Sequence, residues 1–209
     1  MSYKVLIVDD QMLPRQYFES IVKNSENYEL VDAIASAKVA DAYCIGQKVD
    51  LVIMDIVMSD GSNGLDAARR IKNSYPDTKI LVVTSMPDAA FLETAKAIPV
   101  DSFWYKEVQD APMLEVMDKT MSGEHIWPDT PPIVRIGVAE STEFTEREME
   151  VLRGIAKGYS NQEISEHLNM SVNTVRFHLA NIFAKTGYTT RTELAIEAIQ
   201  SGIVAADVK

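Results

Sequence analysis

The stretch Lys4-Val5-Leu6-Ile7-Val8-Asp9-Asp10 decides how the first half of the chain is read. Four apolar residues run directly into two carboxylates. The pattern recurs: Leu51–Met54 precedes Asp55, Ile80–Val83 precedes Thr84, and Phe103–Tyr105 precedes Lys106, with a weaker run at Tyr28–Ala35. Short apolar runs bounded by polar residues read as strands buried on both faces. Between them lie stretches with helical spacing, Leu13 to Val22, Val39 to Ile45, Leu65 to Ile71, Ala89 to Ala97 and Met113 to Met121. Gly46 and Gly123 stand where helix ends would be. Strands alternating with helices predict an α/β domain over residues 1–123, with a doubly wound, five-stranded parallel sheet.

The chain has 209 residues, 46% of them apolar and 24% charged, which excludes wholesale disorder and suits two small domains. No apolar run approaches the roughly 18 residues of a membrane span. The N-terminus meets carboxylates too soon for a signal-peptide core. Cys44 is the single cysteine, so no disulfide can form within the chain. The expectation is a soluble cytoplasmic protein with no membrane partner. Net charge is −11, with 12 Lys and Arg against 20 Asp and Glu in residues 1–125 and 7 against 9 in residues 141–209. Such acidity speaks against nucleic-acid binding, because phosphate contacts need Lys and Arg.

In an open parallel sheet the carboxyl ends of the strands form the rim where ligands bind. Asp9, Asp10, Asp55, Thr84 and Lys106 all stand just after an apolar run and converge on that rim. Three carboxylates without His or Cys suit a hard cation such as Mg²⁺. A hydroxyl and an ammonium opposite it suit the oxygens of a phosphoryl group. Singly, each of these residues is explained as a helix cap or a loop carboxylate; together they point to phosphoryl chemistry.

The motifs Lys4–Asp10, Met54-Asp55-Ile56-Val57-Met58, Val83-Thr84-Ser85 and Phe103-Trp104-Tyr105-Lys106 resemble the receiver domain of bacterial two-component response regulators, a flavodoxin-like fold. The resemblance implies that Asp55 accepts a phosphoryl group from a sensor histidine kinase. It implies that Asp9, Asp10, Asp55 and the Val57 carbonyl hold Mg²⁺, and that Thr84 and Lys106 contact the phosphoryl oxygens. It makes Phe103 the aromatic switch; the alternative for Phe103 is a plain core aromatic. Three features depart from the family: Ser59 where Pro is usual, Asn63-Gly64 one residue late, and Asp101-Ser102 in place of a Gly-Ala pair.

From Glu124 to Glu143 the periodicity breaks. Trp127-Pro128-Asp129-Thr130-Pro131-Pro132 cannot continue a helix and reads as a linker over 124–143, with Ile133–Ile136 a brief extended segment. Beyond it, residues 144–209 read as a small all-α domain. Thr145–Glu148, Ser160–Glu163 and Thr190–Glu193 each place a hydroxyl three residues before Glu, the capping-box spacing. Gly158, Gly187 and Gly202 mark helix ends. The spacing predicts helices over 146–157, 161–168, 172–186 and 191–201, the middle two forming a helix-turn-helix.

Thr145-x-Arg147-Glu148, Val151-Leu152, Gly158–Ile164, Ser171-x-x-Thr174-Val175-Arg176-x-His178, Ile182, Lys185-Thr186-Gly187 and Arg191-Thr192 resemble the LuxR-type helix-turn-helix. With the receiver this is the NarL/FixJ group of response regulators. Val175, Leu179, Ile182 and Phe183 form a buried stripe, which leaves Asn173, Arg176, Phe177, Ala180 and Asn181 for the major groove. Ser160, Asn161, Gln162, Ser171 and Thr174 stand at helix starts suited to phosphate, with Lys185 and Arg191 near them. Residues 172–186 contain no acid, so the reading face is locally basic.

The sequence is therefore read as a response regulator that binds double-stranded promoter DNA, as a homodimer when phosphorylated, with RNA polymerase as a further partner. It is not read as an enzyme. Two rivals are a phosphorylation-independent protein-interaction regulator and a Mg²⁺-dependent aspartyl phosphatase, whose usual Asp-x-Asp order after the first strand is missing here.

Overall fold

The computed structural model describes residues 2–106 and 112–204; the last five residues of the expected second domain lie outside the described ones. The chain divides into two compact units, one made chiefly of the residues up to Pro131 and the other chiefly of those from Pro132 on.

In the first unit, strands β1 (Tyr3–Val8), β2 (Tyr28–Ile34), β3 (Leu51–Met54), β4 (Lys79–Thr84) and β5 (Ser102–Tyr105) form one sheet in the order β2-β1-β3-β4-β5. Every pairing is parallel. Helices α1 (Met12–Lys23), α2 (Gly64–Ser74) and α3 (Ala89–Lys96) and the short helix Ala37–Cys44 are the crossovers, and α4 (Met113–Ser122) follows the last strand. The two-residue period of a strand splits the apolar runs between two cores. Leu6, Val8, Val52, Met54, Ile80, Val82 and Phe103 pack with Leu65, Ala68 and Ile71 of α2 and Leu92 of α3. Val5, Ile7, Leu51, Ile53, Leu81 and Val83 pack with Phe18 and Val22 of α1 and Val116 and Met117 of α4. Burial on both faces explains why the strands read as continuous apolar runs.

One element differs from expectation. Val39 to Ile45, read as a helix of ordinary pitch, is a 3₁₀ helix spanning Ala37–Cys44. Its first turn is claimed by tertiary partners: Ser62 Oγ accepts from Ala37 N at 3.1 Å and Arg70 donates to Ala37 O at 3.0 Å. A carbonyl engaged from outside is lost to the i+4 ladder, and short stretches with competing partners tighten to three residues per turn.

The departures at residues 101 and 102 have structural work to do. The Asp101 carboxylate is buried and accepts from Lys72 Nζ at 2.6 Å, Lys79 Nζ at 2.9 Å and Ile80 N at 2.8 Å, and these partners hold its carboxyl below the usual range against the opposing effect of burial. Ser102 Oγ shares a hydrogen bond with Thr120 and accepts from Ile126 N at 3.1 Å. Phe103 N donates to Ile126 O at 2.8 Å, and Trp127 stacks on Phe103 with centroids 6.0 Å apart. Residues 125–127 thus run along the free edge of β5.

In the second unit a hairpin of β6 (Arg135–Ile136) and β7 (Ala139–Glu140) precedes helices α5 (Glu146–Ala156), α6 (Asn161–His167), α7 (Val172–Thr186) and α8 (Arg191–Gln200). Val151, Leu152, Ile155, Ile164, Val175, Ile182, Leu194 and Ala198 make the core. Reciprocal capping boxes form at Thr145 and Ser160. At Thr190 only the hydroxyl's bond from Glu193 N is made, since Glu193 turns its carboxylate back on that hydroxyl. Among the described residues no helix is long and apolar enough to cross a membrane.

Asn63-Gly64 has a steric cause. Asn63 caps α2 by accepting from Leu65 N and Asp66 N, and Gly64 N donates to Ile56 O at 2.8 Å. A Cβ on Gly64 would lie 1.8 Å from the backbone oxygen of Asp55, so α2 can start here only with glycine. Gly64→Ala is expected to destabilise the first unit by about 1–3 kcal/mol, the usual cost of overpacking. Urea unfolding checks this; an unchanged midpoint would contradict the close approach.

A carboxylate cluster on the sheet rim and an exposed helix-turn-helix face

Asp9, Asp10 and Asp55 are brought together where β1 and β3, adjacent in the sheet, end. Each offers an oxygen within 4.8 Å of the others. Asp9 and Asp55 are buried, so their charges require partners. Lys106, one residue beyond β5, supplies them. Its Nζ donates to Asp9 Oδ2 and to Asp55 Oδ2, each at 2.7 Å. Gln11 N donates to Asp9 Oδ1 at 2.9 Å, Ile56 N to Asp55 Oδ1 at 2.7 Å, and Ser59 N to Asp10 Oδ2 at 2.8 Å. Among the described residues, Asp10 Oδ1 is buried and accepts no hydrogen bond. Arg15 of α1 braces the rim by donating to Asp9 O at 2.6 Å.

Burial pushes the Asp55 carboxyl up to about 6, and the Asp9 charge adds to the rise; Lys106 and Ile56 N oppose it without cancelling it. Lys106 is held above the usual lysine range, because its two carboxylates outweigh the burial that would lower it. Thr84 lies fully buried at the end of β4, where its carbonyl accepts from Lys106 N at 3.0 Å. Val57 pairs with Asn63 across the mouth of the β3–α2 loop. Phe103 is fully buried between Tyr105 and Trp127. The five rim residues read from sequence therefore meet on one side of the sheet, with hard oxygen donors and one ammonium but no imidazole or thiolate.

The loop from Met58 to Ser62, which the sequence marked only as a departure, also reaches this cluster through Ser59 N. A backbone N–H leaves no trace in the residue type, except that proline would lack it. The absence of proline was the available signal.

In the second unit, Asn173, Thr174, Arg176, Phe177 and Ala180 of α7 face solvent, Phe177 at 62% exposure, and Asn181 is half-buried. Arg176 donates to Asn173 Oδ1 at 3.3 Å. Ser160 and Ser171 cap α6 and α7, and Ser171 also bonds Thr174. Gln162 donates to Glu166 at 2.7 Å. Two cations turn inward. Lys185 donates to Glu148 Oε2 at 2.6 Å and Glu143 O at 2.7 Å, holding the buried Glu148 carboxyl below its ordinary range against burial's opposing effect. Arg191 donates to Asn161 Oδ1 at 2.9 Å and to Tyr159 O, and burial lowers its affinity for the proton. Asn161 and Arg191 are thus a pair that joins α6 to α8.

Residues 5–118 match the response regulator receiver domain family, and residues 142–198 match the luxR family of bacterial regulatory proteins. The response regulator protein VraR of Staphylococcus aureus, in strains Mu3 and NCTC 8325 among others, is 34% identical over 209 residues, covering 98% of this chain and all of VraR. The fold resembles the two-component response regulator RcsB in a DNA complex, at a TM-score of 0.60 and 18% identity over 94% of this chain and 98% of that one. RcsB from Salmonella enterica serovar Typhimurium, bound to a promoter in the presence of a phosphomimetic, gives a TM-score of 0.61 at 18% identity, covering 97% and 100%. The carboxylate rim and the helix-turn-helix thus sit in the two domains by which this chain belongs to the response regulators with a receiver and a LuxR-type DNA-binding domain, regulators of transcription.

Proposed function

We propose that Asp55 is the phosphoacceptor, that a sensor histidine kinase is the donor, and that Asp9, Asp10, Asp55 and the Val57 carbonyl hold Mg²⁺. The observation that carries this reading is the three-carboxylate cluster with Lys106 at its centre. The residues fit such a cation: all the donors are oxygens, and one buried carboxylate oxygen, Asp10 Oδ1, lacks a partner. Bound there, Mg²⁺ would neutralise charge on the transferring phosphoryl group. The remaining chemistry belongs to the chain. An Asp55 carboxylate oxygen bonds to phosphorus as the phosphorus–nitrogen bond of the donor histidine breaks and its imidazole leaves. Lys106, already against Asp55, pairs with the new phosphoryl oxygens. The Thr84 hydroxyl takes another oxygen, and Phe103 shifts with it as the switch. Trp127, stacked on Phe103, ties that shift to the start of the linker.

The second unit reads DNA through α7. Arg176 and Phe177 address base edges, while Asn173, Ala180 and Asn181 lie beside them in the groove. Ser160, Gln162, Ser171 and Thr174 approach phosphates. Lys185 and Arg191 act chiefly by holding the domain together, with Asn161 as partner of Arg191. A formal charge of −2 over residues 141–209 makes monomer binding weak; homodimers on paired half-sites restore affinity. The protein works in the cytoplasm, with promoter DNA and RNA polymerase as partners. We assign it no enzymatic turnover.

Asp55→Asn is expected to abolish Mg²⁺-dependent phosphorylation by acetyl phosphate; an undiminished adduct in the intact mass of the variant would refute the acceptor. Asp55 should titrate near pH 6 in the metal-free protein, which carbon NMR of its carboxyl can follow. A raised folded pKa means the native state holds the proton more tightly than the unfolded chain. Stability from this group is therefore present at low pH and is lost as pH rises from about 4 to about 6. A midpoint near 4 would contradict the burial argument.

Arg176→Ala is expected to cost about 1–3 kcal/mol on a selected site while sparing a scrambled duplex. Lys185→Met should instead lower unfolding stability by about 1–3 kcal/mol, because Glu148 stays buried without its cation. Salt titrations and thermal melts separate the two; equal loss by Arg176→Ala on both duplexes would assign it to phosphate.

A further inference from the structure

The β3–α2 loop is unusually well braced for a surface turn. Val57 pairs with Asn63, Met58 N donates to Ser62 O at 3.3 Å, and Gly61 N donates to Met58 O at 3.0 Å. Asp60 accepts from Ser62 N at 2.9 Å, Ser62 Oγ at 2.6 Å and Ser36 Oγ at 2.7 Å. Lys38 Nζ donates to Asp60 O at 3.0 Å. These bonds, led by the two serine hydroxyls, hold the Asp60 carboxyl well below the usual range. Beyond Ile56, the loop reaches the carboxylate cluster through the bond from Ser59 N to Asp10 Oδ2 at 2.8 Å.

Among the described residues, five of the six carboxylate oxygens of Asp9, Asp10 and Asp55 accept from the protein, and Asp10 Oδ1 alone does not. A carboxylate turns freely about its own axis unless one oxygen is tied. The Ser59 amide ties Oδ2 and so leaves Oδ1 as the buried oxygen of Asp10 without a partner among the described residues, in a residue whose carboxylate belongs to the three-acid cluster.

We propose that the Ser59 backbone N–H is a positioning group for the divalent cation: it orients Asp10 so that Oδ1 is presented as a ligand while Oδ2 stays on the amide. This rests on the reading that Asp9, Asp10 and Asp55 hold Mg²⁺. It gives the serine where receivers usually carry proline a direct consequence, because proline at this position has no N–H to donate. The serine hydroxyl has no part in it. The braced loop supplies the rigidity that makes such orientation effective.

The test is calorimetric titration of the full-length, unphosphorylated protein with MgCl₂. Ser59→Pro is expected to weaken Mg²⁺ binding by about threefold to tenfold, the worth of one ordinary hydrogen bond. Ser59→Ala, which keeps the N–H, should bind like wild type. In an Asp10→Ala background Ser59→Pro should add no further loss, whereas a general distortion of the loop would weaken both backgrounds alike. Unchanged affinity in Ser59→Pro, or equal weakening in both backgrounds, overturns the proposal. Should Ser59→Pro fail to fold, proton NMR of the wild-type Ser59 amide decides. A downfield shift retained at saturating Mg²⁺ supports the orientation, and its collapse on adding Mg²⁺ means the cation displaces the amide and refutes it. If wild type itself binds no Mg²⁺, the metal reading fails first and takes this inference with it. A wild type that binds while Ser59→Pro is unaffected sinks only the role of Ser59.

Discussion

Two buried carboxylates, Asp9 and Asp55, stand at the ends of neighbouring strands and are held there by one ammonium. Like charges this close, with 0% and 4% of their surface exposed, would not persist at neutral pH without compensation. Lys106 provides it, reaching both oxygens at 2.7 Å from the far side of β4. The arrangement exists because β1, β3, β4 and β5 are neighbours in parallel register, so that their carboxyl ends share one rim. It stays electrostatically incomplete: Asp55 keeps a raised pKa, and among the described residues Asp10 Oδ1 has no partner. A carboxylate cluster left short of positive charge favours any further cation near it, and burial strengthens each such interaction.

The second unit settles its charge differently. Several of its acids are taken up by helix caps, as in the boxes of Thr145 with Glu148 and Ser160 with Glu163. Glu148 serves twice, capping α5 and pairing with Lys185. The consequence for DNA recognition is that Arg176 stands exposed on α7 with Phe177 beside it, while Lys185 and Arg191 are committed to the domain's own contacts. The exposed face is thus poorer in cations than the sequence suggested.

Much of this was legible in residue order because the signals were local. Val5–Val8 with Asp9 and Asp10, and Leu51–Met54 with Asp55, announce buried strands ending in carboxylates. The helix boundaries at Ser160, Ser171 and Gly187 follow from caps whose chemistry lies within four residues. Val39–Ile45 misled because its first turn is governed by Ser62 and Arg70, partners that no local window contains. Lys185 misled for the same reason: a lysine near the end of a helix looks free until Glu148, 37 residues earlier, is found beneath it.

The sequence by itself determined the parallel α/β unit, the four-helix unit and the identity of the rim residues, because strand period, helix period and capping are properties of short segments. Only the tertiary structure decided which oxygen each proton donor occupies. That Lys106 bridges Asp9 and Asp55, that Asp101 gathers Lys72 and Lys79, and that Ser59 N–H reaches Asp10 all depend on chain crossings between segments 22 to 97 residues apart. Hydrogen bonds act over about 3 Å and select by direction, so residue types alone cannot specify them; the packing of the loops on the sheet does.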